Sequence, residues 1–441
     1  MSFIFYGWWD WRFLILLAFA SFTDYFVGIW LSNAITARGR KYIISISICV
    51  NLSILAFFKY FNFFADTFVN AFGSVGVHIE PRTLNIVLPV GISFYTFQTM
   101  SYTIDVYRKK MPATKDILQF FAFVSFFPQL VAGPIERASH MLPQYAVPRI
   151  FDFSKAKDGL RQMLGGFAKK IIIADGCATL VNAIFTNYKH LPASSLVLGA
   201  FYFCIQIYCD FSGYSDIAIG SARLFGFDLM RNFNCPYLSR DIAEFWRKWH
   251  ISLSTWFRDY LYIPIGGSKG SAWQKVRNVF IIFIVSGFWH GPNWTFIFWG
   301  ALNAVYFLPL LLSNKNRGHL DVAAHNRLLP SFRELTGIVF TFSLTTFAWI
   351  FFRSASIHDA FLYIGRMFSP SIMSRSAYFS PKYLLLIALL FIAEWLQRDK
   401  PHILYFENVK SPVIRWATYY AIVIGIFFLG SAQQSFIYFQ F

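Results

Sequence analysis

Residues Phe13–Leu31 read FLILLAFASFTDYFVGIWL, nineteen residues of which only Asp24 is charged. As an α-helix such a run is roughly 28 Å long, close to the hydrocarbon thickness of a bilayer. Comparable runs follow at Tyr42–Phe64, Leu84–Val106, Ile117–Ile135, Leu160–Phe185, Ser195–Phe225, Val279–His290, Trp294–Leu312, Leu335–Phe352, Tyr383–Leu396 and Val413–Leu429. The expectation is an all-α, polytopic membrane helical bundle of roughly ten or eleven membrane segments. Excess Phe and Leu at this segment length argues against a transmembrane barrel.

Composition agrees. The chain is 56% hydrophobic, 21% aromatic and 14% charged, where a soluble domain carries about 25% charged residues. So few charges cannot cover a water-facing surface of a 441-residue chain, so most of the exterior must face lipid. The net charge of +17 sits in short clusters between apolar runs. Such clusters read as cytoplasmic loops facing anionic headgroups, and nucleic-acid binding is excluded. Arg38, Arg40 and Lys41, then Arg108, Lys109, Lys110 and Lys115, flank a loop, Ala65–Thr83, with one Arg, Asp66 and Glu80. The positive-inside rule then puts the first N-terminus outside, with the basic stretch Arg137–Lys170 cytoplasmic. The five cysteines form no Cys-x-x-Cys pair, which argues against disulfides or zinc. Ser2–Asp10 lacks a basic n-region, so the first apolar helix is expected to serve as the insertion signal. No repeat or long linker divides the chain, and a single domain, 1–441, is expected.

Two stretches depart from plain spans. Phe123–Pro134 (FVSFFPQLVAGP) contains Pro128, Gly133 and Pro134, which break a helix and suit a re-entrant segment packed within protein. Ser239–Gly267 mixes Trp246, Trp249, Trp256 and Tyr260 with Glu244, Arg247, Lys248, Arg258 and Asp259; it is too polar to span and suits an interface or funnel wall. Ile357–Phe368 reads as a further interfacial helix.

An ionisable group inside a membrane segment is a functional hypothesis in itself. His290, in Ser286-Gly-Phe-Trp-His-Gly-Pro-Asn-Trp294, ends one apolar run at a Gly-Pro break. Burial favours the neutral imidazole that a general base needs; the alternative is a structural histidine bonded to a neighbouring helix. His250 lies on a Trp246, His250, Leu253, Phe257 stripe of helical spacing, either near His290 or at a headgroup interface. Glu244 and Lys248 form an i, i+4 pair. In Asp210-Phe-Ser-Gly-Tyr-Ser-Asp216, Gly213 is expected to bend the chain. Asp210 and Asp216 are expected to pair with Arg223, Arg240, Arg247 or Arg258. Asp24 and Asp105 read as helix-end residues. Neither a Gly-x-Ser-x-Gly elbow nor a Walker loop occurs, and no close-spaced ligand motif supports a metal.

The order of Asp210–Asp216, Asn232-Phe-Asn-Cys-Pro-Tyr-Leu-Ser-Arg240, Glu244-Phe-Trp-Arg-Lys-Trp-His-Ile-Ser-Leu-Ser254, Trp256-Phe-Arg-Asp-Tyr-Leu-Tyr-Ile-Pro-Ile-Gly-Gly267 and Ser286-Gly-Phe-Trp-His-Gly291 resembles the membrane-bound O-acyltransferase (MBOAT) family. The likeness is to its alginate O-acetyltransferase AlgI and peptidoglycan O-acetyltransferase PatA branch. Gly91-Ile-Ser-Phe-Tyr-Thr-Phe97, Ser125-Phe-Phe-Pro-Gln-Leu-Val-Ala-Gly-Pro-Ile135 and Phe436-Ile-Tyr-Phe-Gln-Phe441 are similar to the same branch. The match is densest from Leu88 to Ala304. Relatives carry a further apolar helix ahead of Phe5–Asp10, and the sequence given starts just before that stretch.

The resemblance implies a helical bundle with re-entrant and interfacial helices around a central cavity. It implies that His290 is the catalytic histidine and His250 the second motif histidine. Trp289, Asn293, Asp210 and Trp246 are then candidates for oxyanion stabilisation or substrate positioning, with Asp216, Arg247 and Arg258 in structural ionic roles. The implied donor is cytosolic acetyl-CoA, with no metal. The implied acceptor is an extracytoplasmic glycan, reached through an SGNH-type periplasmic or extracellular acetyltransferase partner, and the location a bacterial inner membrane. Rival readings are D-alanyl transfer from a carrier protein, as in teichoic acid modification, protein acylation on Ser or Cys, and an ion-relaying transporter or channel.

Overall fold

In the computed structural model, residues 2–77, 84–406 and 409–439 are described. Part of the expected Ala65–Thr83 loop, including Glu80 and its arginine, lies outside them, as do Gln440 and Phe441 of the terminal motif, and the loop's beginning, through Ser74, is helical instead. The described residues are helical with no strand, as lipid demands of a chain that must satisfy its own backbone. Seven helical stretches are long and apolar enough to cross a membrane: Arg12–Asn33, Ala37–Ser74, Phe153–His190, Ala193–Leu224, Trp294–Leu312, Phe332–Arg353 and Pro412–Leu429. Further apolar helices occupy Ile92–Tyr107, Ala272–His290 and Pro381–Leu396. The chain is a multi-pass helical membrane protein. It divides into two compact units, Met1–Ile150 and Phe151–Phe441.

The first unit contains α1 (Ser2–Trp9), α2 (Arg12–Asn33), α3 (Ala37–Leu55), α4 (Phe61–Ser74), α5 (Ile92–Tyr107), α6 (Ile117–Ser125), α7 (Phe127–Leu130) and α8 (Ala138–Ala146). Asp24 is not at a helix end. It lies fully buried within α2, accepting the Ser47 hydroxyl at 2.5 Å and the Asn51 amide at 2.9 Å from α3. Ser47 also meets the Thr103 hydroxyl of α5 at 2.9 Å. A carboxyl group taken out of water needs such partners, and here they tie three helices together. The Arg40 guanidinium donates to the carbonyls of Leu31, Val106 and Tyr107, capping α2 and α5 at their negative ends.

The expected Leu84–Val106 span is helical only from Ile92. Gly91 holds φ 77°, and a Cβ there would meet the Leu130 carbonyl oxygen at 2.3 Å, so glycine permits both the turn and the approach. The Ile117–Ile135 segment is likewise broken, between α6 and α7 at Phe126.

The second unit contains α9 (Phe153–Phe167), a π-helical turn (Ala168–Ala174), α10 (Asp175–Asn187), α11 (Ala193–Leu224), α12 (Ile242–Lys248), α13 (Ile251–Phe257), α14 (Ala272–His290), α15 (Trp294–Leu312), α16 (Phe332–Arg353), α17 (Ile357–Met367), α18 (Pro381–Leu396) and α19 (Pro412–Leu429). Gly213 does not bend α11, which runs unbroken. Its role is packing. A Cβ on Gly213 would sit 2.8 Å from the Gly166 carbonyl oxygen, and one on Gly166 2.6 Å from that of Gly213. Seven residues further along each helix, Gly159 and Gly220 repeat the arrangement at 2.6 and 2.4 Å. Small residues let these backbones touch, which is how helices gain packing energy in lipid.

Candidate active site

His290 terminates α14, where Gly291 turns to extended backbone and Asn293 starts α15. The hairpin is tight because Gly287 and Gly300 face each other's helices. Their Cβ atoms would lie 2.2 Å from the Phe296 carbonyl oxygen and 2.3 Å from that of Phe283. That approach lays the His290 ring 5.3 Å from Trp299 and 5.3 Å from Phe352. His290 is buried, at 5% exposure.

The expected helical stripe through Trp246, His250, Leu253 and Phe257 is interrupted. α12 ends at Lys248, and His250 has φ 41°, a left-handed conformation costly for a residue with a Cβ. Backbone pairing holds the break: Asn234 N–H donates to the Lys248 carbonyl at 3.0 Å, and Ile251 N–H to that of Asn232 at 2.9 Å. The kink sends His250 inward to 1% exposure. Its ring centroid is 6.5 Å from that of His290, 6.0 Å from Trp289 and 4.6 Å from Phe211. His250 lies outside the seven candidate spans, and burial pushes its pKa down from 6.5 to about 3, keeping the imidazole neutral.

A residue that sequence reasoning left unassigned, Tyr438, completes the cluster. Its hydroxyl lies 3.5 Å from His250 Nδ1, and its ring 5.8 Å from His290 and 6.3 Å from Trp289. Asp210 is placed to hold that segment. Its Oδ2 accepts the Ile437 N–H at 2.8 Å, while Oδ1 lies 2.7 Å from Lys170 Nζ. Lys170 also reaches Asp175 at 2.8 Å and the Gln434 carbonyl at 3.2 Å.

The remaining expected residues divide. Trp289 and Trp246 belong to the aromatic wall, Trp246 stacking edge-on to Phe283 at 5.1 Å and Trp299 at 5.7 Å. Asn293 caps α15 through Thr295 N–H and donates to the Ala355 carbonyl at 3.1 Å. Asp216 pairs with Lys169 at 3.0 Å and takes the Gln162 amide at 2.9 Å. None of the four expected arginines is its ion-pair partner. Arg223 goes to Asp158 at 2.6 Å and Arg240 to Glu244 at 3.0 Å. Arg247 donates to the carbonyls of Asn316 and His319, and Arg258 pairs with Asp259. The expected Glu244–Lys248 pair is present at 2.7 Å. The signal for Lys169 and Lys170 was available: two cations running straight into Ile171-Ile-Ile-Ala174 on one side and two carboxylates in an apolar run on the other. Among the described residues no three His, Cys, Asp or Glu side chains gather to hold a metal.

Two neutral-capable imidazoles, buried among aromatic rings, can take a proton from a hydroxyl where water does not compete. The model of the membrane-bound O-acyltransferase family matches residues 40–319. The probable alginate O-acetylase AlgI of Pseudomonas aeruginosa is 40% identical over 370 residues, covering 83% of this chain and 68% of that protein. The peptidoglycan O-acetyltransferase of Helicobacter pylori is 30% identical, covering 100% of this chain and 90% of that protein. The teichoic acid D-alanyltransferase of Bacillus subtilis is 27% identical, covering 62% and 71%. With its buried histidine pair and these matches, the chain is an acyltransferase and belongs to the membrane-bound O-acyltransferase family.

Proposed function

We propose that this acyltransferase moves acetyl groups from cytosolic acetyl-CoA across a bacterial cell membrane for O-acetylation of an extracytoplasmic polysaccharide. The observation that carries the reading is the His250–His290 pair, 6.5 Å apart between ring centroids and buried within the aromatic wall. Acetyl-CoA is too charged to cross lipid and the glycan lies outside, so the reading requires a site that donor and acceptor approach from opposite sides and that only the acetyl group crosses. Likeness to an alginate O-acetylase and a peptidoglycan O-acetyltransferase supports a glycan as final acceptor. An SGNH-type periplasmic or extracellular acetyltransferase is the proposed partner that carries the group onward.

In this reading His290 is the general base. It removes the acceptor hydroxyl proton as the oxygen bonds to the thioester carbonyl carbon. The C–S bond then breaks, and the proton passes to the leaving thiolate. His250 orients the acceptor or its partner ring. Trp289, beside both rings, is better placed than Asn293 to meet the oxyanion, since the Asn293 side chain is engaged in capping. Similarity to teichoic acid D-alanyltransferases supports a second reading, D-alanyl transfer from a carrier protein.

The test is purified protein with labelled acetyl-CoA or with D-alanyl carrier protein, each with the acceptor protein and glycan. Label should pass from acetyl-CoA in the wild type and stop in His290→Ala at unchanged thermal midpoint. Label passing only from the carrier protein selects the second reading. Transfer that persists in His290→Ala removes the assigned base.

A further inference from the structure

His250 occupies the N-cap position of α13, but its side chain makes no capping hydrogen bond. Ser, Thr, Asp or Asn is the usual residue there, because a short polar side chain can accept one of the backbone N–H groups that a helix start leaves over. An imidazole spent on that turn could not also serve the site beside His290. The start of α13 is held instead by Asn232, which comes earlier in the chain. Its backbone carbonyl accepts the Ile251 N–H at 2.9 Å, and its side-chain oxygen accepts the Ser252 hydroxyl at 2.6 Å. Ile251 and Ser252 are the first two residues of α13. Asn232 Nδ2 donates in turn to Ser215 Oγ at 3.1 Å, on α11. Asn232, Ser252 and Ser215 are all buried.

α11 thus fixes His250 at two points. Phe211 meets the His250 ring edge to face at 4.6 Å. Ser215, one turn further along the same face of α11, fixes through Asn232 the backbone that follows His250. The left-handed turn itself is closed by backbone groups. What the Asn232 side chain adds is the placement of that turn against α11. An amide suits the task, since it accepts on one side and donates on the other.

We propose that Asn232 is a positioning residue for acyl transfer: it holds the start of α13 in place of a side-chain cap, leaves the His250 ring to the site, and clamps the turn to α11. The inference rests on the histidine pair being the transfer site and adds the residue through which one of its rings is placed. The clamp acts through Ser252 and the backbone, not on the reacting atoms.

The test compares Asn232→Ala, Ser252→Ala, the double variant and His250→Ala, with labelled acetyl-CoA or D-alanyl carrier protein, whichever the wild type uses. Asn232→Ala keeps the backbone carbonyl and loses both side-chain bonds. It should lower kcat about tenfold or more, with KM for the donor within about twofold. Ser252→Ala should lower kcat about three- to tenfold. The double variant should be no slower than Asn232→Ala, because its second change removes a bond already lost. Ser195→Ala breaks the bond to Ser376 elsewhere on α11 and should keep the wild-type kcat. A wild-type kcat in Asn232→Ala, with His250→Ala slowed, overturns the clamp and leaves the histidine reading standing. Losses that multiply in the double variant also overturn it, since the two residues then act separately. If Asn232→Ala does not fold, wild-type kcat in both Ser252→Ala and Ser215→Ala overturns it. Wild-type transfer in His250→Ala overturns the clamp together with the role of that histidine.

Discussion

The carboxylate of Asp210, on α11, accepts the backbone N–H of Ile437 at 2.8 Å. One residue later Tyr438 touches the His250 ring. Asp210 therefore fixes the segment that brings Tyr438 against His250. Asp210→Ala leaves the Ile437 N–H without its acceptor and Lys170 with Asp175 as its remaining carboxylate partner. Acyl transfer should fall at least tenfold, with stability reduced by about 1–3 kcal/mol. Asp210→Asn, which keeps an acceptor oxygen, should lose less of both. Equal transfer rates in the alanine variant and wild type would remove the role.

His250 makes stability pH-dependent in a definite direction. Its folded pKa is about 3, below its ordinary 6.5. Between those values the unfolded chain binds the proton and the folded one does not. Its stabilising contribution is complete above pH 6.5 and is lost as pH falls, by about 1.4 kcal/mol per unit. Thermal midpoints measured from pH 7.5 to 5 should drop in the wild type and drop less in His250→Gln. Parallel curves would show that the ring does not stay neutral on folding.

The α14–α15 hairpin depends on Gly287 and Gly300. Adding a methyl group at either forces the helices apart, because the obstacle is a backbone carbonyl rather than a movable side chain. Gly287→Ala should cost about 1–3 kcal/mol. It should cut kcat more than tenfold, since His290 would shift against Trp299 and Phe352. Rates and unfolding measured on one preparation separate the two effects.

Arg240 organises the segment ahead of α12. Its guanidinium bonds Glu244, the Asp321 side chain and carbonyl, and reaches Glu334 at 3.5 Å. Arg240→Ala should destabilise by about 3–5 kcal/mol, since Glu244 would stay buried with Lys248 as its remaining charge partner. The hydrogen bond from Arg240 holds the Asp321 carboxyl below its usual range. That contribution is present above the ordinary carboxylate pKa and fades as pH falls through the lowered one. Urea or thermal unfolding of both proteins at pH 7 checks the magnitude.

Most of the fold could be read from segment length and apolarity, because lipid leaves a chain few alternatives to helices. For His250 the sequence left two placements open, at a headgroup interface or near His290, and the structure has the second, with the ring centroids 6.5 Å apart. The left-handed turn at His250 was not legible, since Trp246, His250, Leu253 and Phe257 fit a regular helix and only backbone bonds to Asn232 and Asn234 overrule that spacing. Asp24 was misplaced because its Ser47 and Asn51 partners come from α3, beyond any local window. The partners of Asp210 and Asp216 were missed for the same reason. Gly159, Gly166, Gly213 and Gly220 recur seven apart on each helix, a pattern visible in the sequence, of which only Gly213 was read there, as a bend.

The hydrogen-bonded loops of Ala168–Ala174 enclose one residue more than those of an ordinary helix, with Asp175 N–H reaching back to the Lys170 carbonyl. Asp210 and Asp216 lie on different sides of α11, and this surplus residue lets neighbouring lysines serve one each. Removing a single isoleucine would shorten the wide turn to an ordinary one and move the lysines at its start relative to α11. Lys169 and Lys170 would no longer both reach their carboxylates, so the chain should tolerate many side-chain exchanges here but no change in length.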